Sequence, residues 1–197
     1  MPKKSIAEIR KQEIVEHFYE VIISEGFENA SMGKVAKRME VNSSLLIHYF
    51  STKEEMILAL IDFVVAKYEK TFLPLLESTE TPGERLHMVL DSLFSADWDN
   101  LTDSRCFYSI YPLILFRATV KVKFQELYSK FKEALVKEIS LAIEGGLIPE
   151  KEADLSASLI ISMLEGANFY GNILNNQQEN EKILSALREQ AWQMLSR

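Results

Sequence analysis

The chain has 197 residues, 47% of them hydrophobic, and a formal net charge of −7. That length supports a sizeable core in one or two domains, and no run of eighteen or more apolar residues marks a membrane-spanning helix. A single cysteine, three scattered histidines and the lack of any glycine-rich phosphate loop or nucleophile elbow leave no basis for an internal disulfide, a metal site, a cofactor or a catalytic constellation. Cys106, within "CFYSIY", reads as a buried, inert thiol. The basic start gives way at once to mixed charge with no apolar stretch suited to secretion, so the protein is expected in the cytoplasm. Charge is unevenly distributed. Residues 1–53 carry eight Lys/Arg against seven Asp/Glu, a net of +1, which leaves −8 for the remainder. Such segregation lets the first quarter approach a phosphate backbone while the body stays off it; a plain acidic surface gives the same count.

The pattern predicts helices throughout. Ser5 with Glu8 forms a capping box, followed by an apolar stripe of Ile6, Ile9, Ile14, Phe18, Val21 and Ile22, and Gly26 closes that first helix. Ser31 caps a second helix that turns Val35, Ala36 and Met39 inward. Asn42 caps a third anchored by Leu46 and Phe50. Thr52 with Glu55 opens a long fourth helix to about Leu76, and Thr81-Pro82-Gly83-Glu84 opens a fifth to about Ser95. "SADWDNLTDS" reads as a loop. A sixth helix is expected over 104–118, kinked or restarted at Pro112, and a seventh over 120–144 up to Gly145-Gly146. An eighth is expected from Pro149 to about Leu174, then a loop "NNQQEN" and a ninth helix to the end.

Two short helices joined by a tight turn near Met39–Asn42 form a helix-turn-helix, which holds its second helix out at a width that fits the DNA major groove. Such pairs also occur as plain packing units, so the pattern alone leaves both readings open. In "NSSLLIHYF", Ser43, Ser44 and His48 are the polar groups able to read bases, and His48 could equally be an exposed residue without a contact. Leu45 and Ile47 suit either thymine methyl groups or the core. Phosphate contacts fall to the flanks: Lys53, the Tyr49 hydroxyl, Lys34, and further out Lys37, Lys3 and Lys4. Ser31 and Asn42, at the two helix starts, complete the expected DNA-facing set.

The stretch "GFENASMGKVAKRMEVNSSLLIHYFSTKEEM" resembles the N-terminal DNA-binding region of the tetracycline-repressor (TetR) family. The match runs through Gly26 at the end of the first helix, Ser31 as cap, Val35-Ala36, Val41 at the turn, His48-Tyr49-Phe50 closing the recognition helix and Ser51-Thr52-Lys53-Glu54 opening the fourth. It covers about a quarter of the chain. The chain departs from the family pattern in having Glu40 where the turn often has Gly, Ser44-Leu45 where Gly and Thr are common, and Ile47 in place of a Tyr. If the turn is left-handed, Glu40 costs about 1 kcal/mol.

The resemblance implies an all-α, nine-helix, two-domain protein: a DNA-binding domain over 1–51, and a helical bundle over 52–197 for ligand binding and dimerisation. It implies partners of three kinds, namely double-stranded DNA, a second copy of the chain and a small-molecule effector, with no membrane. The body is rich in amphipathic aromatics; at helical spacing any one of them is more commonly plain core, and Trp98, Phe107, Tyr111, Phe116, Tyr128 and Phe169 are the expected lining of an apolar effector pocket, with Arg117 or Glu165 as an anchor for a polar end or as plain surface charges. Leu159, Met163, Gly166, Ala167 and Tyr170 on the eighth helix and Leu184, Leu187 and Ala191 on the ninth are the expected dimer interface; the alternative is that both helices simply close the chain's own bundle. The expectation is a ligand-responsive, homodimeric repressor on a palindromic operator; the rival is a small helical carrier or enzyme using the same aromatic cavity.

Overall fold

A computed structural model describes residues 5–77, 81–96, 98, 104–174 and 176–197, with side chains throughout these except at 68, 69, 71–77, 82, 104 and 105. Among the described residues nine α-helices form in chain order and no strand: α1 (Ile6–Glu25), α2 (Met32–Arg38), α3 (Ser43–Tyr49), α4 (Lys53–Glu77), α5 (Pro82–Leu93), α6 (Ser104–Ile110), α7 (Ala118–Glu144), α8 (Ala153–Leu174) and α9 (Gln177–Ser196). None is long and apolar enough to cross a membrane.

Helix starts follow their local chemistry. The Ser5 hydroxyl accepts from the Glu8 N–H at 3.2 Å while the Glu8 carboxylate accepts from the Ser5 N–H at 2.7 Å, so two otherwise unpaired donors are satisfied reciprocally. Ser31 accepts from the Lys34 N–H at 3.3 Å and Asn42 from the Ser44 N–H at 3.0 Å. At α4 the Thr52 hydroxyl accepts from the Glu55 N–H, but the Glu55 carboxylate takes its return bond from Ser51 N–H, one residue earlier than a capping box requires. Thr81 caps α5, with its hydroxyl both accepting from the Glu84 N–H and donating to the Glu84 carboxylate.

Four boundaries differ from expectation. α6 stops at Ile110, and a 3₁₀ turn over Tyr111–Leu115 replaces its last turn. Pro112 explains this: it has no N–H to give and its ring crowds the preceding turn, and it is tolerated near the start of a new segment. α7 starts two residues early, at Ala118. α8 starts at Ala153, so Pro149 precedes it without opening it. α9 starts at Gln177 behind Asn176, whose side chain accepts from the Glu179 N–H, so most of the supposed "NNQQEN" loop is helix. The stretch "SADWDNLTDS" lies largely outside the described residues.

The chain divides into two compact units, one of residues 1–67 and 103–126, the other of 68–102 and 127–197. This division by packing does not coincide with the boundary expected after residue 51. In the first unit the buried side chains include Ile14 and Phe18 of α1, Val35 and Ala36 of α2, Leu46 and Phe50 at α3, Met56, Ile57 and Leu60 of α4, and Cys106. Ile6 and Ile9, expected in the α1 stripe, are exposed, because the stripe outruns the elements that cover α1. In the second unit a single cluster joins Leu86 and Leu90 of α5, Leu135 and Ile139 of α7, Ile160 and Leu164 of α8, and Leu184, Ala191 and Leu195 of α9. Within it Glu138 is buried and paired with Arg85 at 2.9 Å, which supplies the partner that a buried carboxylate needs.

Glu40 has φ 56°, the left-handed region that favours glycine. The turn requires it. Val41 N–H reaches back to the Ala36 carbonyl and Glu40 N–H to the Lys37 carbonyl, and these bonds close α2 before α3 begins. Glu40→Gly is expected to stabilise the protein by about 0.5–1 kcal/mol net of glycine's greater unfolded-state freedom. Chemical denaturation measures this, and a lower midpoint than wild type would show that the Glu40 side chain matters more than its backbone.

Candidate functional site

α3 is seven residues long, too short to hold its shape alone, so its orientation comes from packing. Leu46 and Phe50 are buried and Leu45 and Tyr49 half-buried. Ser43, Ser44, Ile47 and His48 are exposed, and their spacing puts them on one face. Ile47 is 56% exposed, so the core reading of that residue is wrong. Asn42 and Ser31 are exposed at the helix starts they cap. A ring contact of 5.2 Å joins His48 to Tyr49.

The flanking cations are engaged. Lys34 is paired with Glu25 of α1, and Arg38 donates from Nε to Glu20 at 2.7 Å. Lys37 is exposed. Exposed pairs of this kind are worth little, so exchanging the carboxylate for a phosphate costs little. Lys53, the first residue of α4, donates to the Phe27 carbonyl at 3.2 Å and lies 4.4 Å from the centre of the Phe27 ring. Burial there holds the Lys53 ammonium below its ordinary pKa, against the raising effect of Glu28.

The six residues expected to line one pocket fall into different surroundings. In the first unit Phe107 is buried and meets Phe124 at 5.2 Å and Tyr111 at 6.0 Å between ring centres, while Tyr111 is partly exposed. Phe116 is 82% exposed: it follows the 3₁₀ turn that Pro112 imposes, and no residue of that turn is buried. In the second unit Trp98 is buried and stacks on Phe131 at 6.4 Å, and the half-buried Tyr128 hydrogen-bonds Glu165. Phe169 is 59% exposed on the outer side of α8. Phe116 and Phe169 are therefore surface residues of the chain. Phe124 and Phe131, which do join ring clusters, have the same aromatic character and lie on the inner side of α7, a distinction that periodicity along that helix could have drawn. Arg117 pairs with Glu54 at 2.8 Å on the surface of the first unit and is no pocket anchor. Glu165 is different. Burial pushes its carboxyl above the ordinary carboxylate pKa, with the Tyr128 hydroxyl acting in the opposite direction.

The expected dimer residues also separate. Ala167, Leu184 and Ala191 are buried in the chain's own core, where α8 packs on α9, and cannot meet a partner. Gly171 serves the same internal seam: a Cβ there would fall 2.5 Å from Asn180 of α9. Met163 and Leu187 are half-buried. Leu159, Gly166 and Tyr170 are exposed, and Leu155, Phe169 and Ile173 extend them into one apolar stripe at three- and four-residue spacing. A side chain added at Gly166 would meet nothing, so that position is open to an approaching helix.

Among the described residues no group of three or more His, Cys, Asp or Glu could hold a metal ion. Two family models match the chain: bacterial regulatory proteins of the tetR family over residues 14–60, and the C-terminal domain of tetracyclin repressor-like proteins over 81–197. The HTH-type transcriptional regulator BetI of Stenotrophomonas maltophilia is 21% identical over 193 residues, covering 92% of this chain and 91% of its own. BetI of Pectobacterium atrosepticum is 23% identical, covering 100% and 99%. A TetR transcription regulator from Haloarcula marismortui has the same fold, with a TM-score of 0.84 at 16% identity over 95% of this chain and 97% of that one. So does a transcriptional regulator from Saccharomonospora viridis solved in complex with choline, with a TM-score of 0.81 at 12% identity over 92% and 95%.

Proposed function

The chain belongs to the tetR family of bacterial regulatory proteins and is a helix-turn-helix transcriptional regulator, and from that premise we propose that it acts as a homodimeric repressor released from a palindromic operator by a small-molecule effector. Residues 1–51 form the reading head in this proposal, and residues 52–197 carry the effector site and the dimer contact. The observation that carries it is the face of α3. Ser43, Ser44, Ile47 and His48 stand out together while Leu46 and Phe50 fasten the helix from behind. Two hydroxyls, an imidazole and an apolar tip can hydrogen-bond base edges and contact thymine methyls in the major groove. Lys34, Lys37 and Lys53 would position this face by phosphate contacts. The α8 stripe supports a second copy as partner, and the neighbour solved in complex with choline supports a small molecule as ligand.

Selection of bound DNA from a random pool tests the proposal. The selected sites should be palindromes with half-sites about one helical turn apart or slightly more. Ser43→Ala and His48→Ala should change base preference at individual positions, by about 1–3 kcal/mol per lost contact. A selected pool with no common sequence, or variants that leave the preference untouched, would remove α3 as the reading element.

A further inference from the structure

We propose that α3 reads the methyl group of a 5-methylpyrimidine through Ile47 without distinguishing thymine from 5-methylcytosine, so that operator binding responds to C5 methylation of cytosine. The proposal rests on α3 as the reading element and names the base chemistry that it reads.

Ile47 holds the middle of the exposed face. It stands four places after Ser43 and three after Ser44, so it lies one turn beyond both serines and between them around the helix. It is exposed, while its neighbour Leu46 is fully buried and holds the helix from behind. An aliphatic side chain so placed has one natural counterpart on the major-groove edges, the methyl group on C5 of a pyrimidine. Thymine carries that group. Cytosine methylated at C5 carries the same group at the same place on the ring.

The group at C4 separates the two bases: thymine has an accepting oxygen there, cytosine a donating amine. None of the polar groups around Ile47 is committed to one of these. The hydroxyls of Ser43 and Ser44 both donate and accept, and a neutral His48 imidazole has one nitrogen of each kind. α3 carries no Lys, Arg, Asp or Glu, so neither a pure donor nor a pure acceptor stands on its face. The Asn42 carboxamide could offer a fixed donor and acceptor together, but its oxygen accepts from the Ser44 N–H at 3.0 Å. On α2, Lys34 and Arg38 are engaged by Glu25 and Glu20, and Lys37 lies on the helix that crosses the phosphate backbone in this motif. The purine opposite presents an accepting N7 whether it is adenine or guanine. Hydroxyls and imidazole therefore suit either pair, and the methyl group is the feature that Ile47 selects.

The experiment uses the full chain and the operator obtained by selection, with binding measured by gel-shift titration. Replacing each thymine in turn by uracil finds the position whose methyl group counts for the wild-type protein and not for Ile47→Ala. At that position the T·A pair is exchanged in both half-sites for C·G, with and without the methyl group on C5. The methylated site is expected to bind about fourfold tighter per half-site than the unmethylated one, which is the value of burying one methyl group. It should recover most of the affinity lost on going from thymine to cytosine. Ile47→Ala should erase this gain while melting like the wild type, because the side chain it removes is exposed. A site in which no thymine responds to uracil, equal binding of cytosine and 5-methylcytosine, or a methylation gain that survives in Ile47→Ala would overturn the inference. In each of these cases sequence-specific binding of the selected operator leaves α3 as a reading element of other chemistry. A selected pool with no common sequence fails the inference and that reading together.

Discussion

Leu159→Glu is expected to give a folded monomer that no longer shifts operator DNA. The stripe of Leu155, Leu159, Phe169, Tyr170 and Ile173 runs about 27 Å along α8, at 1.5 Å per residue. An apolar strip of that length beside an open Gly166 is suited to a second α8 from an identical chain. In a twofold contact the same patch serves both sides, so one substitution places two carboxylates in the interface. Each loses water without gaining a cation, at a cost of about 1–3 kcal/mol or more, and two such costs exceed what a modest helix pair provides. The isolated chain tolerates the change, because Leu159 is exposed in it. Ala167→Glu is the contrasting case. Ala167 is buried against α9's side of the chain's own core, so a glutamate there should lower the melting temperature sharply whatever the oligomeric state. Sedimentation and thermal melting separate the two. A Leu159→Glu protein that still sediments as a dimer would move the interface off this stripe, and a Leu159→Glu protein that fails to fold would place the residue in the core.

The contrast between Gly166 and Ala167 also shows where sequence reading stops. Both are small and adjacent, so their pattern suits one contact, yet Ala167 is buried in the chain's core and Gly166 is open. α8 carries apolar side chains on most of its circumference, so periodicity identifies a helix with two apolar sides without saying which one packs against the rest of the chain. Phe169 faces outward from the second apolar side of α8, and Phe116 faces outward because a proline breaks the register on which its direction depends. Helix starts were legible because a cap is a contact between a residue and its neighbour two or three places on. Ser5, Ser31, Asn42 and Thr81 needed no tertiary information. Asn176 carried the same signal, with Glu179 three residues later, but the polar run around it resembled a loop, since an exposed first turn and a loop share their composition. The helix-turn-helix was legible because its constraints are local too: a turn at Glu40 with φ 56°, a cap at Asn42, and apolar anchors at Leu46 and Phe50. Glu165 could be named in the sequence as a charge in the body. Its partial burial beside the Tyr128 hydroxyl depends on tertiary packing, which no local pattern shows.

Adjacent residues of α3 should give opposite results when truncated. Leu46→Ala removes a fully buried side chain from a seven-residue helix whose order depends on that packing. The expected cost is about 2–5 kcal/mol, enough to lower the thermal midpoint markedly and abolish operator binding together with stability. Ile47→Ala removes a side chain that is mostly in water, so stability should change by no more than about 0.5 kcal/mol. Its loss should appear only on DNA, at up to about 2 kcal/mol per half-site for the apolar contact withdrawn. The partner of that contact can be tested directly. Replacing thymine by uracil in the selected operator deletes the methyl group and keeps base pairing. If Ile47 packs on that methyl, uracil and Ile47→Ala each weaken binding, and the two together weaken it little more than either alone, because both remove the same contact. Fully additive losses would place the Ile47 side chain elsewhere in the groove. A Leu46→Ala protein with wild-type melting would mean that α3 is held by something other than the core beneath it.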